Sequence, residues 1–270
     1  MIAFTKMSGA GNDFILIDNR DGRIAVEEAS SLARRICPRR TAVGADGLIL
    51  LEASERADLR VRFLNPDGSE PAMCGNGARC AALFAHRLGA AKKSMTLRTL
   101  AGIFSASLTD AGVRIELPDM DVPLPVKGLS FAGIVRDAWF VNTGVPHAVL
   151  PVDDLEGVPV RAWGPAIRHH PRFAPEGTNA DFLLREGDGR IGLRTYERGV
   201  EDETLACGTG ALAAAMTAAL LWKEKSPVTV RTRSGEALTV RFRLAGNRMT
   251  EMALEGPVKV AYTAELEEGC

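Results

Sequence analysis

Two cysteines head near-identical stretches of the chain, Cys74-Gly75-Asn76-Gly77-Ala78 and Cys207-Gly208-Thr209-Gly210-Ala211. Each stretch reads as a helix start, where free backbone N–H groups and the helix dipole favour a thiolate or a bound carboxylate. Paired thiols could form a redox disulfide, hold a metal, act as a nucleophile with a resolving thiol, or serve as two proton-transfer groups. Redox pairs usually sit in Cys-x-x-Cys, a spacing this chain lacks, and a metal would want more ligands near the cysteines. A nucleophile needs a base, which His147 could supply. Two-base proton transfer explains the duplication best. A racemase or epimerase removes a proton from one face of a carbon and returns it on the other, so it needs matched acid and base groups. The amides after each cysteine could hold an α-carboxylate and stabilise the carbanionic charge spreading into it.

The remaining composition bounds the setting of that chemistry. With 270 residues the chain has room for two domains with proper cores. Its 33 basic and 34 acidic residues leave a net charge of -1 with no basic block, which argues against nucleic acid or an anionic membrane as partner. The longest apolar run, Ala211 to Trp222, falls well short of the roughly 20 residues that span a bilayer. The N-terminal residues Met1 to Lys6 begin like a strand and lack a signal-peptide layout, so a cytoplasmic location is the expectation. Five cysteines, an odd number, fit a reducing compartment better than a disulfide framework.

The elements that must position the two cysteines repeat along the chain. The first half reads as strand, glycine loop (Met7 to Asp13) and strand up to Asp18. A helix follows over Val26 to Ile36, its acidic residues early and its arginines late. Strands at 48–51 and 59–64 lead to the turn Asn65-Pro66-Asp67-Gly68, the Cys74 helix and strands at 95–99, 103–108 and 113–117. Residues 119–130, rich in proline, read as an extended connector at a domain boundary. The second half offers the loop Thr143 to His147, a helical stretch over 159–170, the turn Gly177 to Asp181, strands at 182–184 and 192–196, and the Cys207 helix. Gly44 precedes Cys74 by 30 residues and Gly177 precedes Cys207 by 30; Thr99 and Thr232 each follow their cysteine by 25. Four landmarks agreeing in order and distance indicate a duplicated fold. The helix after Cys207 is apolar nearly all round and therefore buried on every side. The expected architecture is α+β: two pseudo-symmetric domains, each a mixed, barrel-like sheet around a central helix. Their expected extents are 1–118, completed by a C-terminal strand at 257–270, and 119–256.

Along its whole length the sequence resembles the diaminopimelate epimerases, cofactor-independent enzymes of lysine and peptidoglycan precursor synthesis. The resemblance rests on Gly11-Asn12-Asp13-Phe14, Gly44-Ala45-Asp46-Gly47, Asn65 to Glu70, Met73 to Cys80, Gly144-Val145-Pro146-His147, Gly177-Thr178-Asn179, Glu197-Arg198-Gly199 and Ala206 to Gly210. Singly these are weak; eight in order are highly specific. The resemblance implies that Cys74 and Cys207 are the two acid/base residues, supported by His147 and Glu197. It further implies that the amides of Gly75, Asn76, Gly208 and Thr209, with the Asn12 side chain, hold the reacting carboxylate. Asn65, Asn179, Glu197 and Arg198 would read the distal amino-acid end, Arg198 offering a bidentate fork to a carboxylate. No cofactor or metal is expected, and a homodimer is the expected assembly. Val145 stands where some members carry asparagine and Gly47 where some carry glutamine, so reaction type is better specified than substrate. The competing readings are a racemase of another amino acid, such as proline or histidine, on the same fold, and a non-catalytic amino-acid-binding protein.

Other reactive side chains have plainer expected roles. Cys80 reads as a packing residue, Cys37 and Cys270 as incidental, His86 as a helix-end group, and His169 and His170 as loop braces. Asn12, Asn65 and Asn179 could each equally be turn residues, since asparagine favours turns. Asp46 and Asp181 recur in the two halves and could brace turns.

Overall fold

A computed structural model describes residues 1–267, and Cys270 lies outside the described residues. The chain forms two compact units, the first made of 1–116 with 255–267 and the second of 117–254.

The first unit starts with β1 (Ile2–Gly9) and β2 (Asn12–Asp18). The expected glycine loop shrinks to a two-residue turn. Ala10 and Gly11 take positive φ there, and the β1–β2 ladder runs on to Gly9↔Asn12. Helix α1 (Val26–Ile36) follows, with Glu27 and Glu28 in its first turn and Arg34 and Arg35 in its last. Strands β3 (Gly47–Glu52) and β4 (Leu59–Leu64), helix α2 (Gly75–Arg87) and the meander β5 (Ser94–Thr99), β6 (Gly102–Thr109), β7 (Gly112–Glu116) complete the run. Strand β2 pairs in parallel with β3, β3 antiparallel with β4, β4 in parallel with β5, and β5 antiparallel with β6. Period-2 alternation splits the sheet's side chains between two helices. Ile15, Ile17, Leu48, Leu50 and Leu64 pack with Leu32 and Ile36 of α1, whereas Ile49 and Phe63 meet α2 at Gly77. Helix α2 touches β1 through β7 and is the central helix of the unit.

The second unit opens with β8 (Met120–Asp121) and β9 (Leu124–Phe131), so the expected connector is mostly strand. Its proline does not prevent pairing: Pro125 lies opposite Trp139 in the ladder with β10 (Ile134–Asn142). Leu129 and Phe131 anchor the strand in the unit's core. There follow β11 (Pro146–Pro151), α3 (Val160–Arg168), β12 (Asn179–Gly187), β13 (Arg190–Glu197), β14 (Asp202–Thr204), α4 (Gly208–Leu221), β15 (Val228–Arg231), β16 (Ala237–Ala245) and β17 (Arg248–Gly256). The last strand, β18 (Lys259–Leu266), returns to the first unit and pairs antiparallel with β1.

The duplication is visible strand by strand. Strand β11 runs parallel to β12, β12 antiparallel to β13, β13 parallel to β15, and β15 antiparallel to β16, the same sequence of pairings as β2 to β6. Helix α4, buried on nearly every face, packs on β10 to β13, β15 and β16 as α2 does on its own strands. Even a side-chain pair repeats. Arg62 of β4 forks onto Glu70 at 3.2 and 2.8 Å, and Arg194 of β13 forks onto Glu203 at 2.6 and 2.8 Å.

Candidate active site

Each cysteine is the N-cap of its unit's central helix. Cys74 has φ -133° and ψ 114°, and its Sγ accepts from the Gly77 amide at 3.4 Å. Cys207 has φ -125° and ψ 113°, and its Sγ accepts from the Gly210 amide at 3.4 Å. In this arrangement the sulfur caps the third amide of the turn. The amides of Gly75 and Asn76, and of Gly208 and Thr209, lead their helices with no intrahelical acceptor, an arrangement that can receive an oxyanion or carboxylate. Gly77 and Gly210 let each helix start sit close on the sheet. A Cβ on Gly77 would lie 2.9 Å from the Phe63 ring and 3.1 Å from Ile49.

Around Cys74, polar side chains form a chain of hydrogen bonds. Asn12 Nδ2 donates to Asp46 (3.1 Å), while its Oδ1 accepts from Asn76 Nδ2 (2.6 Å). Asn76 Oδ1 accepts from the fully buried Arg79 (2.7 Å), whose guanidinium also reaches the Gly75 carbonyl. Asp46 and Asp13 are tied together by Arg39, and Lys6 pairs with Asp13 at 2.8 Å. Burial would raise the Asp13 carboxyl, but hydrogen bonds from Arg39 and Lys6 outweigh it and hold it down to about 2. One Asn12 amide N–H is thus engaged by Asp46. Asn65 lies in an exposed turn, where it donates to Ser69 at 2.9 Å.

The remaining candidates gather in the second unit. His147, expected in a loop, stands on β11, and Asn179, expected in a turn, opens β12 directly opposite it. Asn179 is buried; it donates to the Pro146 carbonyl and accepts from the Arg198 amide, both at 2.8 Å. Glu197 ends β13 and faces Cys207, His147 and Thr204. Burial raises its carboxyl, against the opposing effect of those three neighbours. Cys207 is pushed well above its ordinary value near 9, first by burial and then by the charges of Glu197 and Asp181, with Thr209 and the Gly210 amide pulling the other way. It is a neutral thiol at rest. Two residues of this site carried little signal in the sequence. Asp181 and Thr195 join His147 in a buried network, described below. Thr143, also buried, donates to the Thr209 carbonyl at 3.0 Å and steadies the turn. Gly47, one of the departures noted above, lies buried in the β2–β3 ladder, where a Cβ would sit 2.8 Å from the Leu64 carbonyl. Among the described residues, no group of three or more His, Cys, Asp or Glu is disposed to hold a metal ion.

The other buried thiols serve packing and leave a mark on stability. Burial pushes Cys80 up to about 12 and Cys37 up to about 11. A thiol whose folded value is raised contributes fully below its unfolded value near 9 and loses that contribution as pH climbs. Unfolding free energy should therefore fall by about 1.4 kcal/mol per pH unit for each such thiol from pH ~9 up to its folded value, about 12 for Cys80 and about 11 for Cys37. Urea titrations across that range should show the Cys80→Ala slope shallower by about one proton. An unchanged slope would contradict the burial assigned to this thiol.

The architecture is that of a wider class of duplicated α+β proteins. A Bacillus anthracis protein of the PhzF phenazine biosynthesis family superposes with a TM-score of 0.72 at 17% identity, covering 98% of this chain and 99% of the other. At that identity only the fold is shared. Sequence then narrows the class. The diaminopimelate epimerase family profile matches residues 4–123 and 139–259. The Aquifex aeolicus diaminopimelate epimerase is 42% identical over 98% of both chains, and that of Chlorobaculum tepidum is 45% identical over 95% of this chain and 98% of its own. The chain belongs to the diaminopimelate epimerase family.

Proposed function

We propose that this protein interconverts LL- and meso-2,6-diaminopimelate by proton transfer between two cysteines, with no cofactor in the reaction. The observation that carries the reading is the matched placement of Cys74 and Cys207, each the N-cap of its unit's central helix, with φ -133° against -125° and ψ 114° against 113°. In one direction a thiolate at Cys74 takes the α-proton, breaking C–H and forming S–H. The Cys207 thiol then gives its proton to the opposite face, breaking S–H and re-forming C–H. The roles exchange in the reverse reaction. Charge developing in the α-carboxylate is met by the amides of Gly75, Asn76, Gly208 and Thr209, fixed donors that need no reorganisation. His147 and Glu197 support the proton state of the thiols. The Asn12 side chain joins those amides at the reacting carboxylate. Arg198, its backbone pinned by Asn179, takes the distal carboxylate with Asn65 and Glu197 as further polar contacts. The working assembly is a homodimer, which sedimentation equilibrium reads directly.

Substrate identity is tested by α-hydrogen exchange in D2O across LL-diaminopimelate, L-proline, L-histidine and L-glutamate. Exchange with inversion is expected for diaminopimelate alone. Inversion of proline or histidine instead would replace the substrate and keep the mechanism. Exchange of none of them, with substrate-protected thiols, would favour a binding protein.

A further inference from the structure

The two helix starts share one backbone geometry but rest on different chemistry. Under α2, the paired residues Ile49 and Phe63 of β3 and β4 press on Gly77, and Phe14 heads the neighbouring parallel ladder. Under α4, the equivalent pair is Asp181 and Thr195 of β12 and β13, pressing on Gly210, and His147 heads the equivalent ladder. An apolar trio is therefore sufficient to seat a capped helix of this kind. The polar trio must be retained against the cost of burying it, which is considerable for an ionised carboxylate.

The trio is wired in one direction. Asp181 and His147 are both fully buried, and Asp181 Oδ2 lies 2.6 Å from His147 Nδ1. Thr195 donates to the other oxygen, Asp181 Oδ1, also at 2.6 Å. A carboxylate is acceptor-only, so it fixes the proton on Nδ1 and leaves Nε2 as the ring's working nitrogen. That Nε2 is buried with no hydrogen-bond partner among the described residues. The Glu197 carboxyl is close enough to His147 for their charges to interact, and Glu197 also faces Cys207.

We propose that Asp181, held by Thr195, is a positioning residue that locks His147 in the Nδ1–H tautomer and so presents Nε2 to take the Cys207 thiol proton, S–H breaking as Nε2–H forms, in the direction in which Cys207 is the base. This rests on the two-thiol reading above but can fail separately from it. The carboxylate itself takes up no proton; it orients the ring and stabilises the imidazolium that forms when Nε2 is protonated. The device belongs to one unit only, so it distinguishes two thiols that the backbone treats alike.

The experiment is nitrogen-15 NMR of histidine-labelled protein, the signal of His147 being assigned among the four histidines by His147→Gln. The wild-type ring should show protonated Nδ1 and bare Nε2. In Asp181→Asn, whose amide can donate to Nδ1, the tautomer should move towards Nε2–H. The kcat for diaminopimelate epimerisation should then fall about 10- to 100-fold or more, with KM changed far less. Thr195→Val, which removes one donor and keeps the volume, should show a smaller change of the same sign and serves if Asp181→Asn does not fold. A wild-type Nε2–H tautomer overturns the proposal, as does unchanged kcat in a folded Asp181→Asn. Wild-type protein inert towards diaminopimelate but showing the Nδ1–H tautomer would defeat the substrate reading and leave the wiring intact.

Discussion

Serine in place of Cys74 or Cys207 is expected to leave the helix caps in place and abolish epimerisation. Each sulfur accepts from the third amide of its helix, a role serine fills at least as well, so thermal melting should be unchanged or slightly raised. Alanine would lose the cap at a cost of about 0.5–2 kcal/mol, which is why serine separates chemistry from stability. A serine hydroxyl cannot ionise at working pH, so inversion should fall by at least about 10²–10⁴-fold. The two variants should also fail differently. With one thiol left, the α-proton of one stereoisomer can still exchange with solvent and return to the same face. Deuterium wash-in followed by NMR and chiral chromatography should therefore label one isomer with Cys74→Ser and the other with Cys207→Ser. Substantial inversion by either variant would remove the two-base mechanism.

Gly210→Ala should damage stability and turnover together. Glycine to alanine inside a helix ordinarily gains up to about 1 kcal/mol. Here the sign reverses, because the new Cβ would lie 2.8 Å from Asp181 Oδ1 and 3.2 Å from Thr195 Oγ1. Relieving that overlap pushes α4 away from β12 and β13 or breaks the Thr195–Asp181 bond. Overpacking of this kind costs about 1–3 kcal/mol. A displacement near 1 Å at Cys207 would add about a 10²-fold loss of turnover. Denaturant midpoints and kcat measured together test both parts. A Gly210→Ala protein as stable and active as wild type would show that the helix start tolerates far more slack than its contacts indicate.

Much of the fold was legible because period and charge agreed. Val26 to Ile36 carries apolar residues at helical spacing with charges matched to its dipole, and the helix keeps those ends. Helix α4 declared its burial by being apolar all round. What failed to show was pairing. Asn179 and Asp181 look like turn residues, and only the parallel ladder with β11 makes them strand. Prolines hid β9 in the same way, since an isolated reading cannot see that Pro125 finds its place opposite Trp139. The candidate residues themselves stood out by type and spacing. Their division of labour did not, because Asp181 and Ile49 become comparable only once register sets each of them under its helix.

The place taken in the second unit by β9, beside β10, is taken in the first by β18, beside β1. Each repeat thus has an outer strand, but one comes before its repeat and the other comes after both repeats. During translation the second unit, a continuous stretch from 117 to 254, can close while the first still waits for its last strand. A circular permutant that links β18 ahead of β1 and opens the chain before β8 would restore true tandem order. In that permutant both units would emerge from the ribosome as uninterrupted segments.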